Sequence, residues 1–99
     1  MRYVSTRGGV QGLSFCDAVM MGLADDGGLL VPETIPDVSQ DLPQLAGKGY
    51  VDLAAYVMGH FIDDIPVAEL RSIIERSYET FDDSAVTPLV EVGDIHVLE

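Results

Sequence analysis

The stretch YVDLAAYVMGHFIDDIPVAELRSIIERSYETF, residues 50–81, decides the fold, because two helical patterns follow each other in it. In each pattern the apolar residues recur every three or four positions, the spacing that places them on one face of a helix. The apolar positions are Tyr50, Leu53, Ala54, Val57, Met58 and Phe61 in the first pattern, and Leu70, Ile73, Ile74, Tyr78 and Phe81 in the second. Pro66 suits the first position of the second helix, and the short connection 62–65 predicts an antiparallel helical hairpin.

A third, shorter helix is predicted upstream, after a strand-like opening at residues 2–6. Ser14 is a natural N-cap with Asp17 at the capping-box position, and Gly22 suits the left-handed residue that ends a helix. The apolar face of this helix would hold Phe15, Ala18, Val19 and Leu23.

Turn signals separate this helix from the helical hairpin. The run Asp25-Asp26-Gly27-Gly28 is typical of a turn, because glycine accepts positive φ and aspartate bonds its own backbone. Leu29-Leu30-Val31 predicts a short buried strand that ends at Pro32. The proline-rich segment 32–49 indicates an extended linker.

The last segments, 89–92 and 95–98, flank the dipeptide Gly93-Asp94, a two-residue loop that favours a β-hairpin. The elements together predict an α+β fold. We expect a small domain with a helical hairpin, one further helix and short strands, ending in this β-hairpin.

A chain of 99 residues can bury only one modest core. We expect that core to combine the three helical stripes with the short strand. Its members would be Phe15, Val19, Leu23, Leu29, Leu30, Val31, Leu53, Val57, Met58, Phe61, Leu70, Ile74, Tyr78 and Phe81.

The composition excludes several classes of protein. Hydrophobic residues make up 47%, enough to argue against intrinsic disorder. The net charge of −12 disfavours nucleic acid and anionic membranes as partners, and no apolar stretch approaches the roughly 18 residues of a membrane span. A single cysteine excludes a disulfide framework and indicates the reducing cytoplasm.

The acidic residues are unevenly distributed. Residues 1–24 carry a net charge of +1, whereas every later segment is strongly acidic. The acidic remainder is interpreted as a solvated outer face. The alternative is that the nearly neutral segment is a face reserved for another piece of protein.

Physical reasoning alone identifies no active site. Gly8-Gly9-Val10-Gln11-Gly12 would suit a phosphate nest, but the absence of the dinucleotide-binding spacing favours a flexible loop. Lys48, the only lysine and so the only residue that could form a Schiff base, lies in a polar loop with nothing apolar around it, which favours a solvated surface residue. Cys16 lies in a helical first turn with no histidine implied nearby, which favours an unreactive thiol.

The remaining polar residues suggest no metal centre. His60 and His96 have no metal-ligand spacing. The pairs Asp25-Asp26, Asp63-Asp64 and Asp82-Asp83 lack the alternation that surrounds calcium with oxygens, and each is predicted to lie in a turn. We therefore expect no metal site.

A series of short motifs resembles the start of threonine synthase, in the subfamily with a distinct N-terminal domain. The motifs occur in order along essentially the whole chain. They are Tyr3-Val4-Ser5-Thr6-Arg7-Gly8, Ser14-Phe15, Ala18, Gly22-Leu23-Ala24, Asp26-Gly27-Gly28-Leu29, Val31-Pro32, Ile35-Pro36, Asp52-Leu53-Ala54, Ile74-Glu75-Arg76-Ser77-Tyr78-Glu79-Thr80-Phe81, Val86-Thr87-Pro88-Leu89 and His96-Val97-Leu98-Glu99.

This resemblance implies a pyridoxal-phosphate enzyme of the tryptophan-synthase-β-like fold, which converts O-phosphohomoserine and water to threonine and phosphate. In the family, the lysine that binds the cofactor lies just beyond the tripeptide that corresponds to Val97-Leu98-Glu99. Lys48 matches no family lysine of that role. The resemblance thus implies an N-terminal domain over 1–82, the cut start of the catalytic domain over 83–99, and no catalytic or cofactor-binding residue in these 99.

The resemblance also frames the partners and the remaining alternatives. The expected partner is the catalytic domain of the same chain, with self-association through the cut edge strand as a further expectation. Ser5, Thr6 and Arg7 are the candidates for approaching the substrate phosphate, although Arg7 would alternatively tie the first strand to the Asp25-Asp26 turn. The other readings are a threonine-synthase-like phospholyase and a free-standing acidic interaction module.

Overall fold

A computed structural model describes all residues, 1–99, and contains four helices and two separate pairs of antiparallel strands. The predicted α+β class is confirmed. In chain order the elements are β1 (Tyr3–Ser5), α1 (Phe15–Met21), β2 (Leu30–Pro32), α2 (Leu42–Leu45), α3 (Tyr50–Gly59), α4 (Val67–Tyr78), β3 (Leu89–Val92) and β4 (Ile95–Leu98).

The helical hairpin of α3 and α4 forms as the periodicity predicts, but each helix ends before the last residue of its predicted stripe, Phe61 or Phe81. The ring of Tyr50, at the start of α3, meets the ring of Tyr78, at the end of α4, edge to face with centroids 4.8 Å apart. The Arg71 guanidinium donates to the Asp52 carboxylate at 2.7 Å across the same pair of helices. These contacts require the two helices to be antiparallel. Helix α4 begins at Val67, so Pro66 is its N-cap and not its first helical residue as predicted.

Helix α1 begins and ends at the predicted residues. Ser14 Oγ accepts the backbone N–H of Asp17, and Gly22 ends the helix with φ of +73°. A second cap comes from the α3–α4 connection, where the Asp64 carboxylate accepts the Cys16 N–H at 2.8 Å. The short helix is therefore held by its own sequence and by the helical hairpin.

Strand β1 pairs with β2 in antiparallel register, Val4 opposite Val31, and is joined to the helices by one aromatic residue. The side chain of Tyr3 is buried, and its hydroxyl donates to the backbone oxygen of Phe61 at 3.0 Å. Its ring packs against Phe15 with centroids 6.0 Å apart. Tyr3 thereby connects β1, α1 and the helical hairpin, a role that the sequence pattern did not indicate.

The predicted core is partly wrong. Five of its members are largely exposed: two lie on faces of α1 and α3 that no neighbouring element covers, and three lie outside the helices and strands. The five are Val19, Leu23, Leu29, Val57 and Phe81. The apolar residues that are buried are Tyr3, Ala18, Ala24, Leu45, Leu70 and Ile74. The core is smaller than expected and centres on the inner face of α4.

Two further expectations between α1 and α3 need correction. The predicted buried strand at Leu29-Leu30-Val31 begins at Leu30, and its residues are only half-buried because β2 has a single strand neighbour. The predicted extended linker contains the one-turn helix α2, and Leu45 at its end is buried. One turn of helix is too short to produce a recognisable apolar period.

The C-terminal β-hairpin has the predicted bounds. Val92 pairs with Ile95 around Gly93, whose φ of +63° fits the first central position of a type II′ turn. All four side chains of β4 are exposed, and neither strand pairs with a third. None of the four helices is both long enough and apolar enough to cross a bilayer.

Substituting Ile74 tests the position of the core. Ile74 is the most deeply buried large side chain, at 2% exposure, whereas the adjacent Ile73 is 36% exposed. Ile74→Ala should lower the free energy of unfolding by about 2–5 kcal/mol, because it leaves a cavity, and Ile73→Ala should cost clearly less. Denaturant melts of both variants beside the unsubstituted chain make the comparison. Equal losses of unfolding free energy in the two variants would show that α4 presents a different face to the core.

The unpaired edges of the C-terminal β-hairpin give a second prediction. We expect amides within 89–98 to exchange rapidly in a monomer, since an isolated two-stranded hairpin is marginally stable in water. Protection should appear only if copies pair through an open edge. Hydrogen exchange at several protein concentrations, with α4 as the internal control, measures this. Strong protection of 89–98 in a strict monomer would contradict it.

Candidate functional site

The three candidate residues Ser5, Thr6 and Arg7 lie together where β1 ends, against the turn that follows Ala24. The backbone N–H of Thr6 donates to the Leu29 oxygen at 2.9 Å, and Thr6 Oγ1 accepts the Leu29 N–H at 3.0 Å. Both hydrogen bonds of Thr6 therefore lead to the segment that begins β2. They extend the β1–β2 pairing by one residue.

The carboxylate of Asp26 is the centre of this region. It accepts the Ser5 hydroxyl at 2.7 Å, the Gly28 N–H at 2.9 Å and the Gly9 N–H at 2.8 Å. The Ser5 hydroxyl, itself buried, accepts the N–H of Arg7 in turn at 3.1 Å. One side chain thus joins the first strand, the glycine-rich loop and its own turn.

These contacts explain the ionisation of Asp26. The hydrogen bond from Ser5, followed by those from Gly28 and Gly9 and by the charge of Arg7, holds the pKa of the Asp26 carboxyl below its usual value. A carboxyl whose pKa is lowered on folding stabilises the fold fully above its unfolded pKa of about 3.9. This stabilisation is lost as the pH falls through the folded-state pKa.

Arg7 contacts the same turn through its side chain. Its Nη1 donates to the backbone oxygen of Asp26 at 3.0 Å, and the side chain is otherwise on the surface. The tie between the first strand and the Asp25-Asp26 turn that the sequence suggested is present. A guanidinium has five N–H donors, so one such bond leaves others for a further acceptor.

Two glycines, Gly9 and Gly28, allow the backbone to approach the Asp26 carboxylate closely. A Cβ on Gly28 would meet Ser5 Oγ and would lie 3.0 Å from Asp26 Oδ1, and one on Gly9 would lie 2.6 Å from Asp26 Oδ2. The Gly9 amide, which the sequence offered for a phosphate nest, is already bonded to a carboxylate. The glycines here serve packing around Asp26.

The structure does not bring the other chemical candidates together. Cys16 is exposed, and its hydrogen bond with Asp64 raises the pKa of the thiol, which opposes a reactive thiolate. The ring of His60 packs on Tyr56 at 4.8 Å, whereas His96 lies 3.2 Å from Glu91 in the β-hairpin. No group of three or more His, Cys, Asp or Glu side chains is arranged to hold a metal ion.

One cavity of about 250 Å³ lies between α1, α3 and α4. Its wall contains no charged residue, and Ser77 is its one polar member. The lining residues are Phe15, Met58, Ile62, Ile65, Leu70, Ile73, Ile74, Ser77 and Tyr78. A site for a charged amino acid or a phosphate ester needs polar groups that converge on the ligand, and this cavity lacks them.

Comparison with known proteins identifies the family to which this chain is related. A family described as "Threonine synthase N terminus" matches residues 2–78. The chain belongs to the threonine synthase family.

Individual relatives extend the likeness over the whole chain. Threonine synthase of Pseudomonas aeruginosa is 41% identical over 102 residues, which cover 100% of this chain and 22% of that protein. The crystal structure of pyridoxal-phosphate-bound threonine synthase from Brucella melitensis matches with a TM-score of 0.90 and 41% identity, over 100% of this chain and 22% of that one. "Threonine synthase-like 2" of Xenopus laevis is 34% identical over 103 residues, 100% of this chain and 22% of that protein.

The chain is much shorter than the members of the threonine synthase family that it matches. It spans about a fifth of the length of the curated relatives that it matches. The predicted resemblance is confirmed, and the matched family segment includes Ser5, Thr6, Arg7 and Asp26. The phosphate-binding role of Ser5, Thr6 and Arg7 stays a prediction.

Gly28→Ala tests the packing around Asp26. The new methyl group would displace Ser5 Oγ and crowd the Arg7 N–H, which would lie 3.1 Å away, so we expect the free energy of unfolding to fall by about 1–3 kcal/mol. Gly59→Ala is the matched control, because nothing beyond its chain neighbours and the backbone of its own helix lies within 4 Å of the added Cβ. That change in α3 should be neutral or stabilising by up to about 1 kcal/mol. Similar denaturant melts for the two variants would contradict the geometry.

Proposed function

We propose that this chain is the N-terminal region of a threonine synthase, whose complete polypeptide converts O-phosphohomoserine and water to threonine and phosphate in threonine biosynthesis. The likeness to a pyridoxal-phosphate-bound threonine synthase over the whole of the chain is the observation that supports it. We place the N-terminal domain at 1–82 and the start of the catalytic domain at 83–99. The cytoplasm is the proposed compartment.

The 99 residues are proposed to be inactive by themselves. Pyridoxal phosphate supplies an electron sink to its enzymes and is held there by a lysine amine. The only lysine, Lys48, is exposed in the loop after α2 and lines no cavity that could enclose a cofactor. The residues present therefore do not fit this cofactor, which we assign to the rest of the enzyme.

Arg7 is the residue of this chain that we propose for contact with the substrate phosphate. The Ser5 and Thr6 hydroxyls are engaged by Asp26, Arg7 and Leu29, so they act by fixing the backbone that carries the guanidinium. An arginine with free N–H donors suits a phosphate because two parallel hydrogen bonds can form.

A threonine-synthase-like phospholyase is the second candidate. The match to "Threonine synthase-like 2" is the observation behind it, since a relative with a different name shares the full length of this chain. Both candidates release phosphate from a phosphorylated amino acid. They differ in whether threonine is the other product.

The test uses the complete open reading frame that contains residues 1–99, called below the full-length protein. Supplied with O-phosphohomoserine, it should release threonine and phosphate in equal amounts. Phosphate without threonine would support the phospholyase instead. An open reading frame that lacks any pyridoxal-phosphate-binding region would contradict both and favour the free-standing interaction module.

The same preparation tests the cofactor assignment. After borohydride reduction of the full-length protein with bound pyridoxal phosphate, peptide mass spectrometry should find the cofactor on a lysine outside residues 1–99. A stoichiometric adduct at Lys48 would contradict the assignment.

A further inference from the structure

Helix α1 is apolar on every side. Asp17 is its single charged residue, and that residue takes part in the N-terminal cap with Ser14. Helix α4, by contrast, carries Glu69, Arg71, Glu75 and Arg76 on its exposed side. A helix that is apolar all round is normally covered on all sides.

The inner face of α1 is already occupied within this chain. Phe15 contacts Tyr3, and Ala18 is buried. The other face projects into solvent, with Val19 59%, Met20 86% and Leu23 65% exposed. We call Cys16, Val19 and Met20, together with Leu23 directly after the C-cap Gly22, the outer face of α1. Its apolar side chains add nothing to the core of this chain.

The charge distribution restricts what can cover the outer face. Residues 1–24 have a net charge of +1 in a chain of −12, so this face belongs to the one segment that is not acidic. A second copy would bring another −12 and would be repelled at short range. The favoured occupant is an apolar surface of a different part of the protein.

We propose that the outer face of α1 docks against the pyridoxal-phosphate-binding part of the same threonine synthase polypeptide. The inference rests on the function proposed above. The matched Brucella melitensis threonine synthase extends well beyond the matched region, which accounts for 22% of its chain, so an enzyme of this family has ample chain to cover the face. Helix α1 would then be a layer shared by two cores, which explains why its two faces are equally apolar.

The experiment compares substitutions in the full-length protein. Met20→Glu would bury a charge in the docked face and should lower the melting temperature and the soluble yield. Val67→Glu is the matched control, since Val67 is 80% exposed in the first turn of α4, where the helix dipole favours a carboxylate, and should tolerate the change. Met20→Leu keeps the face apolar and should melt like the unsubstituted protein.

A second measurement does not depend on the variants. The rate constant for alkylation of the Cys16 thiolate, corrected for the ionised fraction of the thiol in each state, should be at least about tenfold lower in the native full-length protein than in the same protein unfolded in urea. The correction removes the effect of the Asp64 hydrogen bond, which raises the pKa of the thiol, and leaves the effect of docking, which covers it. Lys48, exposed in its loop, should be acetylated at similar rates in both states. Peptide mass spectrometry reports both residues.

The outcomes separate the docking from the function. An enzyme that makes threonine but in which Cys16 reacts at the unfolded rate, with Met20→Glu as stable as Val67→Glu, would overturn the docking alone. A dimer that Met20→Glu splits into monomers of unchanged melting temperature would put a second copy on the face and also overturn it. An unsubstituted protein that makes no threonine would contradict the proposed reaction, and Cys16 protection would still judge whether the face is covered.

Discussion

The carboxylate of Asp26 is the interaction on which the N-terminal part of the structure depends. It brings residues 5, 9 and 28 to one point through three hydrogen bonds shorter than 3.0 Å. Hydrogen bonds to an ionised acceptor are the strong ones, and here they hold a strand of three residues whose pairing alone would be marginal. The two glycines let the backbone approach this carboxylate closely.

A few polar contacts then fasten this N-terminal part to the helical hairpin. The Tyr3 hydroxyl bonds to the Phe61 backbone, and the Asp64 carboxylate caps α1 at Cys16. Both acceptors, the backbone oxygen of Phe61 and the carboxylate of Asp64, lie in the connection between α3 and α4. The Asp26 turn therefore holds β1 in place through Ser5, and Tyr3 of β1 bonds to the connection that follows α3. Asp64 in that same connection bonds in turn to the start of α1.

The elements of this fold follow from local sequence, whereas its core and its central contact do not. Helices α1, α3 and α4 were predictable because periodicity and caps such as Ser14 and Gly22 act within one segment. Val19 and Leu23 were misplaced because an apolar stripe shows which face a helix would bury but not whether a neighbour is present to cover it. The Asp26 turn was predictable as a turn, but its bonds to Ser5 and Gly9 join residues 17 to 21 positions apart, beyond any local pattern. Within the candidate site, the motif that contains Arg7 was identified by its resemblance to threonine synthase. The tie between Arg7 and the Asp25-Asp26 turn was predicted only as an alternative to phosphate binding.

The most direct test of this account is an NMR titration of the Asp26 carboxyl carbon together with the amides of Gly9 and Gly28. The account predicts a midpoint below about 3.9, the usual aspartate value, because the hydrogen bonds favour the ionised form. Both glycine amides should shift with that same midpoint, since each donates to the carboxylate. A midpoint at or above the usual value, with amides that do not follow it, would show that Asp26 does not hold the strand, the loop and the turn together.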